Sequence, residues 1–572
     1  MYAFIAFIPI IFAVIVMAGF NWPAKRAMPI AWLIAAVLCL LVWKVSFFRI
    51  FVYTILGFLS SIDTLLVLFG ALLIMNTLTH CGAMSTISKG FMSISKDPRI
   101  QLVVIGCMFG SFMEGAAGYG TPAAICAPLL ITLGYPPLCA AMCCLILDSV
   151  CVTFGAVGLP PNTAMNTIGG MVSSQGGDIT LFTRLLAKWA AIPNLIIFPV
   201  MLFVVIAMMC KIYGKEHSFQ PVLSCIPFIL LCTAAYDIPM ILCASFMGTD
   251  LPTLIAALIG LLVAVLAATN GFLVPKDNFE FPPLSDWEES WLSKTHLRPE
   301  GRGVLQENEI KVGEMEEGKP SMGLWKAWTA YVIIAVVLVI TRVPMTGISK
   351  IMNVGTAPWG ITVSNLFGAE GVNWTLKWAW SPGIIPFTIV ALLCILIYKM
   401  DSKQVKAAWS DTRRMVGGAV IALAFGIAMV QLFRYSNINS SGLDSMLLEM
   451  AKGLAALAGG AYIVISPLIG VVGAFMSGSA TVSCILFSAL QYQTAHILGM
   501  PKVLIVALQV IGGAMGNMVC VHNIVAACTT CGTIGSEGKL LRSNILPCVI
   551  FCAIAVIVMV ITMSMGIDPL PL

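Results

Sequence analysis

Apolar residues run along this chain in long continuous stretches, near 3–20, 28–43, 62–82, 101–133, 135–157, 189–210, 221–247, 252–274, 328–343, 383–398, 415–433, 455–475, 502–527 and 545–566. A helix that crosses a bilayer takes about 20 mostly apolar residues. The pattern therefore predicts an all-α polytopic membrane protein with 12 to 14 spans, the range covering broken or re-entrant pieces. Barrel strands show short alternating segments instead, and these runs are continuous. The first run starts at Tyr2 with no basic residue before it and closes without a small-residue cleavage site. It reads as a retained span rather than a removable signal peptide.

Composition agrees. Of 572 residues 59% are apolar and only 10% charged, whereas a soluble domain carries about 25% charged residues. Too little charge is present to cover a water-facing surface, so the solvent is lipid. The formal charge of +5 hides a split: residues 275–327 hold 11 acidic and 7 basic residues, leaving 15 acidic and 24 basic elsewhere. That acidic stretch, with Pro282, Pro283 and Trp287-Glu-Glu-Ser-Trp291, reads as a solvated loop joining an N-terminal half, 1–274, to a C-terminal half, 328–572. Short loops carry Lys25/Arg26, Lys89/Lys96/Arg99 and Lys399/Lys403/Lys406/Arg413/Arg414. The positive-inside rule places all three clusters in the cytoplasm, although a count of spans past residue 200 does not bring the third to the same side. Nearly all of the 19 cysteines sit inside apolar runs, where free Cys packs as a small hydrophobe. The lone Cys528-x-x-Cys531 lacks the partner pair or nearby His that a zinc site needs.

Two stretches read alike. Gly110-Ser-Phe-Met-Glu-Gly-Ala-Ala117 is matched by Gly473-Ala-Phe-Met-Ser-Gly-Ser-Ala480, and each leads to a Leu-Gly-x-Pro, at 133–136 and 498–501. Each copy then enters an apolar helix interrupted by small residues, Phe154-Gly-Ala-Val-Gly158 and Gly512-Gly-Ala-Met-Gly516-Asn517. The pattern predicts two structural repeats with cores at 101–170 and 455–535. Secondary transporters bind their solute on discontinuous helices where such repeats meet. Gly disfavours a helix by about 1 kcal/mol and Pro by about 3, so the glycines of 106–120 followed by Thr121-Pro122 predict a break. Thr121 would cap the next helix, with Pro122 at its first position. Ser477-Gly-Ser-Ala-Thr481 is the counterpart. Helices that restart at such breaks aim free N–H groups and positive dipole ends at the cavity, a setting for a carboxylate.

Charge inside a transmembrane helix points to function. Glu114 lies in the first break and its counterpart is Ser477, giving one titratable copy and one hydroxyl copy. Asp148 is a second candidate, a turn or two before the 155–158 interruption. Asp63, after Ser60-Ser61, reads as an N-cap or interfacial group. Asp237 and Arg434 could face an aqueous path. Asn162, Thr163, Asn166, Asn517, His522 and Asn523 collect at the second breaks, and Asn can serve both the carboxylate and the hydroxyl of a 2-hydroxy acid.

The stretch Gly110-Ser-Phe-Met-Glu-Gly-Ala-Ala-Gly-Tyr-Gly-Thr-Pro-Ala-Ala124, with Ala127-Pro-Leu-Leu130, Leu133-Gly-Tyr-Pro-Pro137, Phe154–Gly158, Gly473–Ser483, Gly512–Cys520 and Asn523-Ile-Val525, resembles the bacterial L-lactate permease family over essentially the whole chain. The resemblance implies a multi-pass symporter of the bacterial cytoplasmic membrane that moves lactate, and often glycolate, with protons. Two places depart from the family pattern: Asp148, where Asn is usual, and Pro160-Pro-Asn-Thr163. On this reading Glu114 and Asp148 couple protons. Gly115, Gly118, Thr121, Ser477, Gly478, Ser479 and Thr481 hold the carboxylate, and Asn517 and Asn523 reach the hydroxyl. The expected partners are a small organic anion and the lipid bilayer, with protons as coupling ion, no other cofactor, no metal and no nucleic acid; the sequence assigns no oligomeric state. Alternatives are a Na+- or H+-coupled carrier of another small mono- or dicarboxylate, a membrane enzyme and a passive channel. No H-E-x-x-H, P-loop or G-x-S-x-G is present to support an enzyme.

Overall fold

A computed structural model of the chain describes residues 2–16, 20, 22, 24–91, 94–116, 118, 121–277, 279–292, 322–342, 347–381, 383–533 and 535–566. Helices dominate, and the strands among the described residues are the short antiparallel pair Ile361–Val363 and Trp374–Leu376. Six described helices are long and apolar enough to cross a membrane, or seven if the pair Pro137–Val152 and Gly155–Ser174, bent by 51°, counts as one span. The 12 to 14 runs read from the sequence include pieces that the structure divides at breaks.

Helix α1, Phe47–His80, starts at Ser46, whose hydroxyl caps the Arg49 N–H. It continues through Ser60 and Ser61, whose hydroxyls cap no helix start but donate back to the Leu56 and Phe58 carbonyls, each at 2.7 Å. Asp63, expected at a helix start, is therefore inside α1.

The first repeat opens with α2, a continuous helix made of Pro98–Gln101, the wider π-helical Leu102–Phe109 and Gly110–Ala116. It continues through α3 (Thr121–Thr132), α4 (Pro137–Val152) and α5 (Gly155–Ser174). A hairpin of α6 (Ile226–Met247) and α7 (Pro252–Thr269) packs against it. Helix α8, Ser402–Tyr435, precedes the second repeat, and its N-terminus is closed by a reciprocal Asp401–Gln404 capping box. The second repeat comprises α9 (Tyr462–Ser477), α10 (Ala480–Ile497), α11 (Lys502–Gly516) and, after a 3-10 turn at Asn517–Val519, α12 (Val521–Thr530).

Helices α1 and α8 pack antiparallel. Gly57 abuts the Ala428 backbone so closely that a Cβ there would collide with it. Asn76 Nδ2 donates to Thr412 Oγ1 at 2.9 Å, and His80 Nε2 lies 2.9 Å from Asp411 Oδ2. The end of α1, which leads to Lys96 and Arg99, and the start of α8, which carries Lys403, Lys406, Arg413 and Arg414, thus share one end of the molecule. Counting spans misplaced the third cluster because broken helices do not alternate sides as whole ones do.

The acidic loop is not simply solvated. Phe279 and Trp291 are buried, the Tyr135 ring lies 5.0 Å from Phe281, and the Tyr213 ring lies 4.9 Å from Trp291. Residues 293–321 of the loop lie outside the described set. Arg99, taken as a surface cation, is wholly buried beneath this segment and paired with Asp97 and Asp277.

Candidate functional site

The two breaks meet. Helix α2 ends at Ala116 and α3 restarts at Thr121 with Pro122 in its first turn. In the second copy α9 ends at Ser477, Gly478 turns the chain in the left-handed region at φ 75°, and Ser479 caps α10 by accepting from Val482 N at 3.5 Å. Around the junction is a small pocket lined by Glu114, Gly118, Gly155, Ala156, Pro160 and, from the other repeat, Gly478, Ser479, Thr481 and Asn517. The first turn of α10 thus presents backbone N–H groups that no helical carbonyl reaches. The hydroxyls of Ser479 and Thr481 lie beside them.

Local sequence explains the shape. Ala156, Val157 and Gly158 all adopt left-handed backbone, at φ 44°, 56° and 70°, a conformation that costs an L-residue about 1–2 kcal/mol. Strain of this kind persists only where surrounding structure holds it. Two contacts hold it here. Gly118, itself at φ 68°, lies so near Ala156 that a Cβ there would come within 2.7 Å of the Ala156 methyl. Gly158 sits against the Thr249 carbonyl with no room for a side chain. The α6–α7 turn is in turn tied to α5: Asn162 Nδ2 donates to Asp250 Oδ1 at 2.7 Å and Asn162 Oδ1 accepts from the Thr249 hydroxyl. The Pro160-Pro161-Asn162 segment therefore buttresses the break.

Glu114 is buried at 3% exposure on the cavity wall, and its carboxyl occupies the space a side chain on Gly155 would need. Asp148, also buried, lies behind the wall and links the repeats. Its Oδ2 accepts from Asn517 Nδ2 at 2.9 Å, and Asn517 Oδ1 accepts from Asn523 Nδ2 at 2.6 Å. The Cys151 thiol reaches Asp148 from the other side, with Sγ 2.9 Å from the Asp148 carbonyl and 3.6 Å from its Oδ1. Both amide orientations are fixed by this chain of donors.

Of the residues singled out from sequence, the structure brings Glu114, Gly118, Gly478, Ser479, Thr481 and Asn517 to one cavity. Asn523 stands behind Asn517 as its support. Ser477 spends its hydroxyl on the Gly473 carbonyl at 2.7 Å. Gly115 faces the other way, where a Cβ would meet Thr253 Cγ2 at 2.9 Å and Leu254 N at 3.1 Å; its smallness serves the packing of α2 on α7. The side chains of Thr121 and His522 lie outside the described residues. Gly512 and Gly516, read as an interruption, sit within α11 against the Pro467 and Val471 carbonyls. They are close-packing positions, and the helix breaks after them, at Asn517. Asn166 Nδ2 reaches Asp63 Oδ2 at 3.5 Å. Arg434 packs its guanidinium on Gly170 and the Tyr435 ring, at 5.1 Å from the ring centre. Sequence reasoning missed Gly155, Ala156 and Pro160 as wall residues, and missed Thr249 and Asp250 altogether. The left-handed run carries no composition signal at Ala156 and Val157.

Among curated relatives the chain is 29% identical to the L-lactate permease of Bacillus subtilis, over 81% of this chain and 78% of that one. It is 26% identical to the L-lactate permease of Escherichia coli K12 (97% and 94%) and 24% identical to the glycolate permease of the same organism (96% and 94%). Among solved structures, the Alcanivorax borkumensis YdaH transporter aligns with a TM-score of 0.39 at 14% identity, covering 88% of this chain and 86% of that one. The L-lactate permease family model matches residues 2–566. With that match spanning both repeats and the cavity between them, this multi-pass membrane protein belongs to the L-lactate permease family.

Proposed function

We propose that this protein is a secondary active transporter that imports L-lactate with protons across the bacterial cytoplasmic membrane, with D-lactate and glycolate as further substrates. One observation carries the reading: two broken helices from duplicated halves face each other across a single cavity, and one of them brings an acid while the other brings a capped helix N-terminus. The names of the relatives, lactate permeases and a glycolate permease, support the 2-hydroxymonocarboxylate class.

The geometry suits that solute. The carboxylate takes hydrogen bonds from the free N–H groups at the start of α10 and from the hydroxyls of Ser479 and Thr481, where the helix dipole also favours negative charge. The remaining Nδ2 proton of Asn517 reaches the 2-hydroxyl, since Asp148 and Asn523 fix which way the amide points. Glu114 carries the coupled proton, and Asp148 is the second proton-coupling group. Accumulating an anion against an inside-negative potential costs about 2.3 kcal/mol per charge per 100 mV. One co-transported proton cancels that electrical cost and lets the pH gradient drive uptake. The end of the molecule shared by the basic clusters faces the cytoplasm by the positive-inside rule.

The test is uptake of labelled L-lactate into proteoliposomes under an imposed pH gradient, alkaline inside. Wild-type protein accumulates lactate, and Glu114→Gln retains binding while losing accumulation. Lactate uptake that ignores the pH gradient but follows a Na+ gradient would overturn proton coupling. Preference for succinate over lactate in counterflow would overturn the substrate class.

A further inference from the structure

Along α2, a column of buried polar side chains descends from the cavity. Glu114, Ser111 and Cys107 are spaced by three and four residues, so they lie above one another on the helix. Ser111 is flanked by the thiols of Cys107 and Cys151. Opposite them, α6 contributes Tyr236 and Asp237, and Asp237 acts electrostatically on Cys107. Thr253, at the start of α7, sits by the Tyr236 hydroxyl and has already given its own proton to the Cys151 carbonyl at 3.0 Å. Three of these groups are stranded. Ser111 Oγ, Tyr236 Oη and Asp237 Oδ1 make no hydrogen bond of good geometry among the described residues, the first two having only thiols and the Thr253 hydroxyl within reach, and their residues are 1%, 0% and 2% exposed.

A buried polar atom left unsatisfied costs about 1–3 kcal/mol, and such atoms in proteins are satisfied by ordered water. Three in one column call for a thread of water to satisfy them. Its direction follows from the helix: Cys107 is seven residues before Glu114, about 10 Å along the axis. Arg99, at the end beneath the acidic loop, is eight residues further, about 12 Å. Asp237, which acts electrostatically on Cys107, belongs to the stretch between the cavity and that end.

Resting on the proton-coupled reading above, we propose that Asp237 is a further proton-carrying carboxyl, beyond Glu114 and Asp148, that receives the coupled proton from Glu114 through water held by Ser111 and Tyr236, on a route separate from the solute's. Protonated Glu114 gives its proton to a water in the thread, and the displaced proton passes from water to water onto the Asp237 carboxylate. Asp237 releases it to water on the side of the Arg99 end, and Glu114 returns to its anionic form. No electron moves and no bond other than O–H is made or broken. The titratable groups that interact with Asp237 are Cys107 on α2 and Tyr236 on its own helix. Among the described residues no opposite charge reaches Asp237.

The experiment compares two modes in proteoliposomes: net uptake of labelled lactate driven by a pH gradient, and lactate–lactate counterflow, which needs no net proton release. In Asp237→Asn the pH-driven rate falls by about tenfold or more while counterflow stays near the wild-type rate. Tyr236→Phe and Ser111→Ala, which keep the packing, slow pH-driven uptake in the same sense and leave counterflow unchanged. Wild-type-like pH-driven uptake in Asp237→Asn overturns the relay, as does equal loss of both modes in all three variants. Absence of pH-driven uptake in the wild-type protein would instead sink the proton-coupled reading itself.

Discussion

At Gly155 the missing side chain makes the room that the Glu114 carboxyl fills. Gly155→Ala forces the carboxyl off its position on the cavity wall. Misplacing a working group by about 1 Å costs on the order of 100-fold in rate. Initial lactate uptake should therefore drop by that order while the yield of monodisperse protein stays level; an unchanged rate would mean that the Glu114 position does not matter to transport. The Asp148–Asn517 pair allows a sharper trial, because it joins residues 369 apart in sequence through one 2.9 Å bond. Asn517→Asp sets two carboxyl groups against each other and should abolish uptake. Adding Asp148→Asn restores a donor facing an acceptor with the partners exchanged, and should recover at least about tenfold of the loss. Such recovery is the non-additivity that marks direct contact; a double variant no better than the single would place the pair outside the working site.

Two glycines that break helices do so under different constraints. Gly478, at φ 75°, needs the left-handed backbone, so Gly478→Ala should cost about 1 kcal/mol on that account. Gly158 needs that conformation and also abuts the Thr249 carbonyl in the α6–α7 turn. Gly158→Ala adds an overpacking cost, for about 2–4 kcal/mol in all. Thermal unfolding in detergent should rank the two in that order, and equal losses would deny the turn its buttressing role. The breaks themselves were legible in the chain, because Gly-rich runs and Thr121-Pro122 act locally and the second copy repeats them. Their supports were not. Asn162 meets Thr249 and Asp250 across 87 and 88 residues, and Asp148 meets Asn517 across the two halves. Contacts of that separation leave no trace in composition or spacing. Gly115 was misassigned for a related reason: a glycine that lets a ligand approach and one that lets α7 approach look identical until the neighbour is known. Ser60-Ser61 looked like a helix start because hydroxyl residues favour caps, yet both hydroxyls turn back to the preceding turn and the helix continues.

Across the whole molecule, the acidic loop is fastened to the first repeat through one buried cation. Every nitrogen of the Arg99 guanidinium is engaged. Nη1 donates to the Pro221 carbonyl at 2.7 Å, Asp277 Oδ2 at 2.8 Å and Ser224 Oγ at 3.1 Å. Nη2 donates to Asp97 Oδ2 at 2.6 Å and the Asp277 carbonyl at 2.8 Å, and Nε to Asp97 Oδ1 at 3.1 Å. Because Arg99 begins α2, whose far end carries Glu114, the clasp joins the loop to the helix that lines the cavity. Burial alone would raise the Asp277 carboxyl, but the hydrogen bonds from Arg99 and Ser224 outweigh it and hold the group below the ordinary carboxylate range. A carboxyl so lowered contributes stability above its unfolded value of about 3.9 and loses it only as pH falls through the lower folded value. Amide-exchange protection across 279–292, corrected for intrinsic rates, should therefore be the same at pH 8 and pH 5. Arg99→Gln should speed exchange there by about tenfold or more, because it strands Asp97 and Asp277 and empties a buried position. Asp277→Asn should do less, since its carbonyl still accepts from Nη2 and Asp97 still pairs the cation. Exchange equally slow in Arg99→Gln and wild type would show that aromatic packing by Phe279, Phe281 and Trp291 holds the loop without the clasp.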